Sequence, residues 1–281
     1  MTNAGLILEG GGMRGIYTAG VLDLFLDAGL TFPSIYGVSA GACHACSFVS
    51  GQRGRARGTV LNYIGDRRYA SIYNLLTTGD YFGARFVYRT VPDELLPYDY
   101  GAFVNSPQTL YSVVTNVETG LAEYVPLGDL RQDMVWVQAS ASLPLLSRTV
   151  KLGGKKYLDG GIADSIPLAK SVADGNTRNV LVLTRHDGYR KAQSKSKLIR
   201  LRYGKYPEFV RAAEERHTAY NAALAFAEEQ SAAGRAVIIR PKAEVTLGRL
   251  EKDPEKLNAL YDLGYADAKA AVEGNAAFFA E

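Results

Sequence analysis

The stretch "SIYGVSAGACHAC", residues 34–46, passes from a short apolar run through a glycine-flanked serine into small residues suited to a helix. "SIYGVS" reads as a buried strand and the helix starts at Ala40. Between them "GVSAG", residues 37–41, is a G-x-S-x-G turn in which Gly37 and Gly41 let the chain swing sharply and lift the Ser39 hydroxyl out of the sheet edge. The pattern predicts a nucleophile on an α/β scaffold; a purely structural turn is the alternative. A serine nucleophile needs a base to take its proton, so the rest of the chain must supply one.

The flanking segments repeat the strand–turn–helix order. "GLILEGGG", residues 5–12, is a buried strand entering a glycine turn. "IYTAGVLDLFLDAG" follows as an amphipathic helix with Val21, Leu22, Phe25 and Leu26 on one face. Residues 53–106 have no clean period. Beyond them, "LYSVVTNVETGLAEYVPLG" predicts a hairpin around "ETG", "LRQDMVWVQASASLPLL" a helix up to Pro144, and "KLGGKKYLDGG" a hairpin around Gly153 and Gly154. "NVLVLTRH" is a continuous apolar run of the kind buried in a parallel sheet, and "AVIIRP" supplies a last strand. The chain closes with a helix, "DPEKLNALYDLGYADAKAAVE", with Asp253 as its N-cap and Pro254 at its first position. No repeat or linker divides the sequence, so residues 1–281 are expected to form a single α/β domain with a mainly parallel central sheet and a mostly helical C-terminal part.

Composition narrows the function classes. With 47% hydrophobic and 22% charged residues the chain is globular, and a formal net charge of +3 gives no case for nucleic acid. "MTNAGLILEGGG" lacks the positive start and apolar stretch of a signal peptide, which leads to the expectation of a cytoplasmic protein. Cys43 and Cys46 are too few for a disulfide framework and are read as small packing residues.

"GGGMRG", residues 10–15, fits G-x-G-x-x-G through Gly10, Gly12 and Gly15. A dinucleotide site also needs an acidic residue about 20 positions on, where this chain has Tyr36, Gly37, Val38 and Ser39. The loop instead offers a row of backbone N–H donors at a helix start, which suits the negative charge of a tetrahedral acyl intermediate. A side chain at Gly11 is expected to crowd the oxyanion.

The chain has three histidines, His44, His186 and His217. His44 is five positions past Ser39, about 140° around the helix, and points away. His217 sits in a charged helical stretch. His186 ends a strand, and Ser39, Asp159 and His186 follow the order of an α/β-hydrolase triad. Asp159 ends the strand of "YLDGG", beside Gly160 and Gly161, and is the rival base.

"GGGMRG", "GVSAG", "ASASLP" (139–144) and "DGG" (159–161), in that order, resemble the patatin-like phospholipase family, and "LYDLGYADA" resembles its bacterial, cytosolic branch. The resemblance covers essentially the whole chain. It implies a three-layer α/β/α fold and a serine acyl hydrolase acting on a lipid or fatty-acyl ester, with no cofactor and no metal. It also implies a Ser39–Asp159 dyad, an oxyanion hole from Gly10, Gly11, Gly12, Met13, Arg14 and Gly15, and supporting roles for Gly37, Gly41, Gly160 and Gly161. A Ser39–Asp159–His186 triad esterase and a catalytically silent lipid-binding protein are the rivals.

Two segments bear on substrate. Tyr81, Phe82, Phe86, Tyr88, Tyr98, Tyr100 and Phe103 either pack a core or line an acyl pocket. Between residues 190 and 211, Arg190, Lys191, Lys195, Lys197, Arg200, Arg202, Lys205 and Arg211 alternate with Leu198, Ile199 and Leu201. They form either a solvated basic face or a surface for peripheral contact with anionic lipid.

Overall fold

Alternation along the first strand sets the layers. In β1 (Gly5–Leu8), Leu6 and Leu8 point into one hydrophobic core while Ile7 points into another on the opposite face, as the period of two demands. A computed structural model describes residues 2–194 and 196–280. After β1 the chain forms a tight 3₁₀ turn at Gly12–Gly15, α1 (Ile16–Asp27), β2 (Ser34–Val38) and α2 (Ala40–Val49). There follow α3 (Arg55–Leu61), α4 (Ile72–Thr78), a π-helical segment (Phe86–Leu95) carrying Pro92, and α5 (Tyr100–Val104). The second half has β3 (Thr109–Asn116), β4 (Ala122–Pro126), α6 (Leu130–Ser140), β5 (Val150–Leu152), β6 (Lys155–Asp159), α7 (Leu168–Ala173) and β7 (Asn179–Val182). It ends with α8 (Lys197–Tyr203), α9 (Pro207–Ala232), β8 (Ala236–Ile239), α10 (Pro254–Gly274) and α11 (Ala276–Ala280).

The strands make one sheet in the order β5-β6-β3-β2-β1-β7-β8, with β4 also paired to β3. Strands β3, β2, β1, β7 and β8 run parallel; β4, β5 and β6 pair antiparallel. Residues of α1, α2 and α10 share a core with Leu6, Leu8 and Ile35, while Leu168 of α7 and Tyr220, Leu224 and Ala227 of α9 pack on Ile7, Tyr36 and Leu181. Helices therefore cover both faces, as the α/β reading expects.

Two sequence expectations change. Helix α1 is not amphipathic: Ile16 to Phe25 are all buried, because α10 lies across its outer side. The bare Cα positions of Gly20 and Gly264 make this approach feasible, since a Cβ on either would stand 2.0 Å and 2.1 Å from a backbone oxygen of the other helix. Tyr17, Tyr261 and Tyr265 then donate hydroxyl hydrogen bonds to Asp267, Asp23 and Asp27 across the helix pair. Helix α6 stops at Ser140, before Pro144, so Ala139 and Ser140 of "ASAS" close the helix and Ala141 and Ser142 follow it.

Candidate active site

Strand β3 brings the ends of β2 and β6 together. Val38, the last residue of β2, pairs with Val113, and Asp159, the last of β6, pairs with Val114. Because β4 occupies the other edge of β3 along residues 111–115, β2 and β6 share one edge and meet end to end. Ser39 follows Val38 directly, so the serine and the aspartate emerge at neighbouring registers of a common strand.

Ser39 turns with φ 54° and ψ −121°, a region L-residues rarely occupy. The glycines around it serve close approach. A Cβ on Gly37 would stand 2.6 Å from Ala42 Cα, and one on Gly41 2.4 Å from the carbonyl oxygen of Leu8. The "ASAS" segment fills the notch between β2 and β6. Ser39 N–H donates to Ser140 Oγ (2.8 Å), whose hydroxyl donates to Val113 O (2.6 Å); Asp159 N–H donates to the carbonyl of Ser142 (2.8 Å). In the sequence these serines are part of "ASASLP" with no task of their own. The alternation of small and hydroxyl residues at the end of a helix is the signal that could have found them.

Asp159 is buried, 3% exposed. Gly161 N–H donates to its Oδ1 at 2.8 Å, while Oδ2 is buried without a hydrogen-bond partner. Burial raises the carboxyl pKa above its ordinary value, and Arg216, the Ser39 hydroxyl and Gly161 N–H act against that rise. Ser39 thus stands near the carboxylate without the geometry of a formed bond, a looseness common in unliganded sites. Gly160 and Gly161 allow the turn: a Cβ on Gly160 would meet Val113 O at 2.1 Å.

In the glycine loop, the N–H groups of Gly10, Gly11 and Gly12 have no hydrogen-bond acceptor among the described residues. Met13 differs from the expectation, because its N–H donates to the carbonyl of Arg249 at 3.1 Å and is not free to hold an oxyanion. The Gly11 expectation also changes. A Cβ there would meet Thr184 Oγ1 at 2.7 Å, whereas a Cβ on Gly10 would meet Ser39 Cβ at 2.7 Å, so Gly10 is the residue against the serine. Gly15 abuts Ala40 and His44, and Arg14 is buried with its guanidinium 3.5 Å from Leu247 O.

No histidine bonds to Ser39 or Asp159 among the described residues. His186 lies past the end of β7, its Nδ1 against the carbonyl of Asp187 and its ring against Tyr189. His217 Nδ1 contacts the carbonyl of Glu214. His44 is buried, and burial pushes its pKa down to about 4. No three His, Cys, Asp or Glu side chains converge as a metal site would need among the described residues.

Ser39 forms part of the wall of two spaces. One is an apolar cavity of about 120 Å³, bounded by Met13, Cys43, Tyr69, Phe82, Tyr88 and Val137 among others, well above the roughly 10–15 Å³ one water needs. Phe82, Tyr88 and Tyr98 of the aromatic segment line it, Tyr98 also as part of the core, to which Tyr81, Phe86 and Phe103 belong without lining the cavity. Cys43 lines it as a thiol whose pKa burial pushes up to about 12. The other space is polar and adjoins the glycine loop and Asp159. The basic segment is partly neutralised: Arg190, Arg200 and Arg211 pair with Glu228, Glu214 and Glu208. Leu198 and Leu201 remain exposed, and Lys195 lies outside the described residues. No helix among them is long and apolar enough to cross a membrane.

A family model described as patatin-like phospholipase matches residues 6–170, and one for a domain of unknown function, DUF6363, matches residues 206–280. Over 186 residues, 64% of this chain, the sequence is 31% identical to the uncharacterized protein YjjU of Escherichia coli (strain K12), covering 51% of its length. Over 183 residues, 59% of this chain, it is 31% identical to lysophospholipase nte1 of Emericella nidulans, covering 11%. The chain thus spans about half of the first relative and about a tenth of the second. The crystal structure of VipD from Legionella pneumophila superposes with a TM-score of 0.49 at 15% identity, covering 98% of this chain and 67% of that one.

Proposed function

The chain belongs to the patatin-like phospholipase family, and from that premise we propose that it is a serine-dependent lipid acyl hydrolase working through a Ser39–Asp159 dyad. The observation that carries the reading is the meeting of β2 and β6 on β3, which sets a strained serine beside a buried aspartate with a free oxygen. Asp159 takes the Ser39 proton as Oγ attacks the ester carbonyl carbon. The carbonyl oxygen becomes an oxyanion held by the free N–H groups of the Gly10–Gly12 loop, each such donor being worth on the order of 2.7–4 kcal/mol of barrier. Collapse breaks the ester C–O bond, and the departing alcohol takes the proton from Asp159. Water then gives a proton to Asp159 as its oxygen attacks the acyl carbon, the acyl C–Oγ bond breaks, and Asp159 returns the proton to Ser39 Oγ as the fatty acid leaves. The apolar cavity receives the acyl chain.

Burial is what makes an aspartate more basic for this work, and the positive charge of Arg216 acts against that rise. The test is a set of variants assayed on p-nitrophenyl esters and with a fluorophosphonate probe. Ser39→Ala and Asp159→Asn are expected to lower turnover by several orders of magnitude and to abolish labelling, with His186→Ala within a few fold of wild type. A thousandfold loss in His186→Ala would replace the dyad with a triad.

A further inference from the structure

The polar space beside Ser39 collects five cations from four separate parts of the chain: Arg14 before α1, Arg185 and Lys191 after β7, Arg216 on α9, and Arg249 ahead of α10. Among the described residues none of the five forms an ion pair. The carboxylates there are two, and both are engaged. Glu9 accepts from Thr184 N–H at 2.7 Å and from its hydroxyl at 3.2 Å, and Asp159 accepts from Gly161. Arg14 is 5% exposed, and the Nε atoms of Arg14 and Arg216 are buried without a hydrogen-bond partner.

Five cations face only the two carboxylates Glu9 and Asp159, whose attraction offsets part of their charge, and the excess is costly for the groups that are buried. Burial with Arg185 and Arg249 lowers the Arg14 pKa to about 10, and burial with Arg216 and Arg249 lowers that of Lys191 to about 7. An anion would relieve both, and guanidinium groups match the oxygens of a phosphate through paired hydrogen bonds. The place is also where an α/β sheet offers a crevice: the chain leaves β1 toward β2 and leaves β7 toward β8, so the loops after β1 and β7 diverge. The space is about 30 Å³ and shares Leu143, Lys191, Arg216 and Arg249 with a neighbouring groove of about 410 Å³, which gives room beside the anion for a larger group.

We propose that this cluster, centred on Arg185, Lys191, Arg216 and Arg249 with Arg14 behind them, binds a phosphate group, either that of a lipid headgroup or that of a small phosphate ester. The inference rests on the hydrolase reading for its link to substrate. An acyl chain in the apolar cavity and a phosphate in this pocket would hold the ester between them at Ser39, which borders both.

The experiment uses the full chain and has two arms. In the first, kcat/KM is measured for lysophosphatidylcholine and for the monoacylglycerol of the same acyl chain in identical micelles. Wild type is expected to favour the phosphate-bearing substrate at least tenfold, and Arg185→Gln with Lys191→Gln to reduce that ratio at least tenfold. In the second, calorimetry measures glycerol 3-phosphate binding to the Ser39→Ala protein, with the same two substitutions expected to weaken it at least tenfold. Binding without a lipid preference supports the anion site and assigns it to a free phosphate ester. No binding, or a preference that survives the substitutions, overturns the proposal. Fluorophosphonate labelling separates this outcome from the hydrolase reading: an unlabelled protein that binds glycerol 3-phosphate keeps the site and loses the hydrolase.

Discussion

Ser39 holds its strained backbone because Ser140 takes up its N–H and passes the bond on to Val113. Ser140→Ala strips that buried donor of its acceptor, a loss of about 1–3 kcal/mol. It is expected to lower kcat at least tenfold with KM little changed; a kcat within twofold of wild type would show that the elbow stands without the clamp. Asp159 carries the opposite sign. Its folded pKa is raised by burial, so the folded state disfavours the charged form, and its contribution to stability is lost as pH rises from the unfolded value near 4 through the folded one. Asp159→Asn is therefore expected to melt no lower than wild type at pH 7 while inactive, with any gain vanishing below about pH 4; a clear destabilisation at pH 7 would contradict this. His44 is kept neutral to about pH 4 while the unfolded chain protonates near 6.5, so stability falls as pH drops through that window, by on the order of 3 kcal/mol. In urea titrations across this range His44→Gln should flatten the slope, and an unchanged slope would refute the assignment.

Among the elements, α1 and α10 depend on each other. The sequence of α1 reads as one apolar stripe at a period of 3.6; the face that carries Tyr17, Gly20 and Asp23 is covered by α10 through backbone contact and tyrosine–aspartate hydrogen bonds. Gly264→Val would force the helices apart, since even a Cβ would stand 2.1 Å from Tyr17 O. A destabilisation of about 1–3 kcal/mol is expected, as for other overpacked contacts, and chemical denaturation measures it. A variant as stable as wild type would mean that the crossing is not a stability determinant. Strand β7 is shorter than "NVLVLTRH" suggested. The chain leaves the ladder after Val182, where Thr184 turns to Glu9 and Gly10, and His186 lies past the strand with its ring against Tyr189.

Across the whole molecule, the two regions matched by family models share one core. Residues from Leu6 to Val182 pack in the same cluster as Val237, Ile239, Leu257 and Phe279, and β8 continues the ladder from β7. The full chain is expected to unfold in a single transition. A chain ending at residue 205 would expose the α1 face and the β7 edge and is expected to be insoluble or unfolded; a folded, soluble product with cooperative melting would divide the molecule into two domains. The polar pocket draws on both regions, Arg14 and Arg185 from one side of residue 206 and Arg216 and Arg249 from the other.

Local chemistry was enough to read the elbow, the glycine loop, the hairpins and the Asp253 cap, because each is set by residues within a few positions of one another. Order along the chain allowed both a Ser39–Asp159 dyad and a triad that adds His186. What only the pairing decides is position: β6 shares an edge of β3 with β2, whereas β7 lies beyond β1, and register along a strand is a long-range property that no short window carries. The same holds for the cations. Arg14, Arg185, Lys191, Arg216 and Arg249 are scattered over more than two hundred positions, each an ordinary basic residue in its own segment, and they become a charged pocket only because the sheet turns the ends of β1 and β7 toward α9 and the loop ahead of α10.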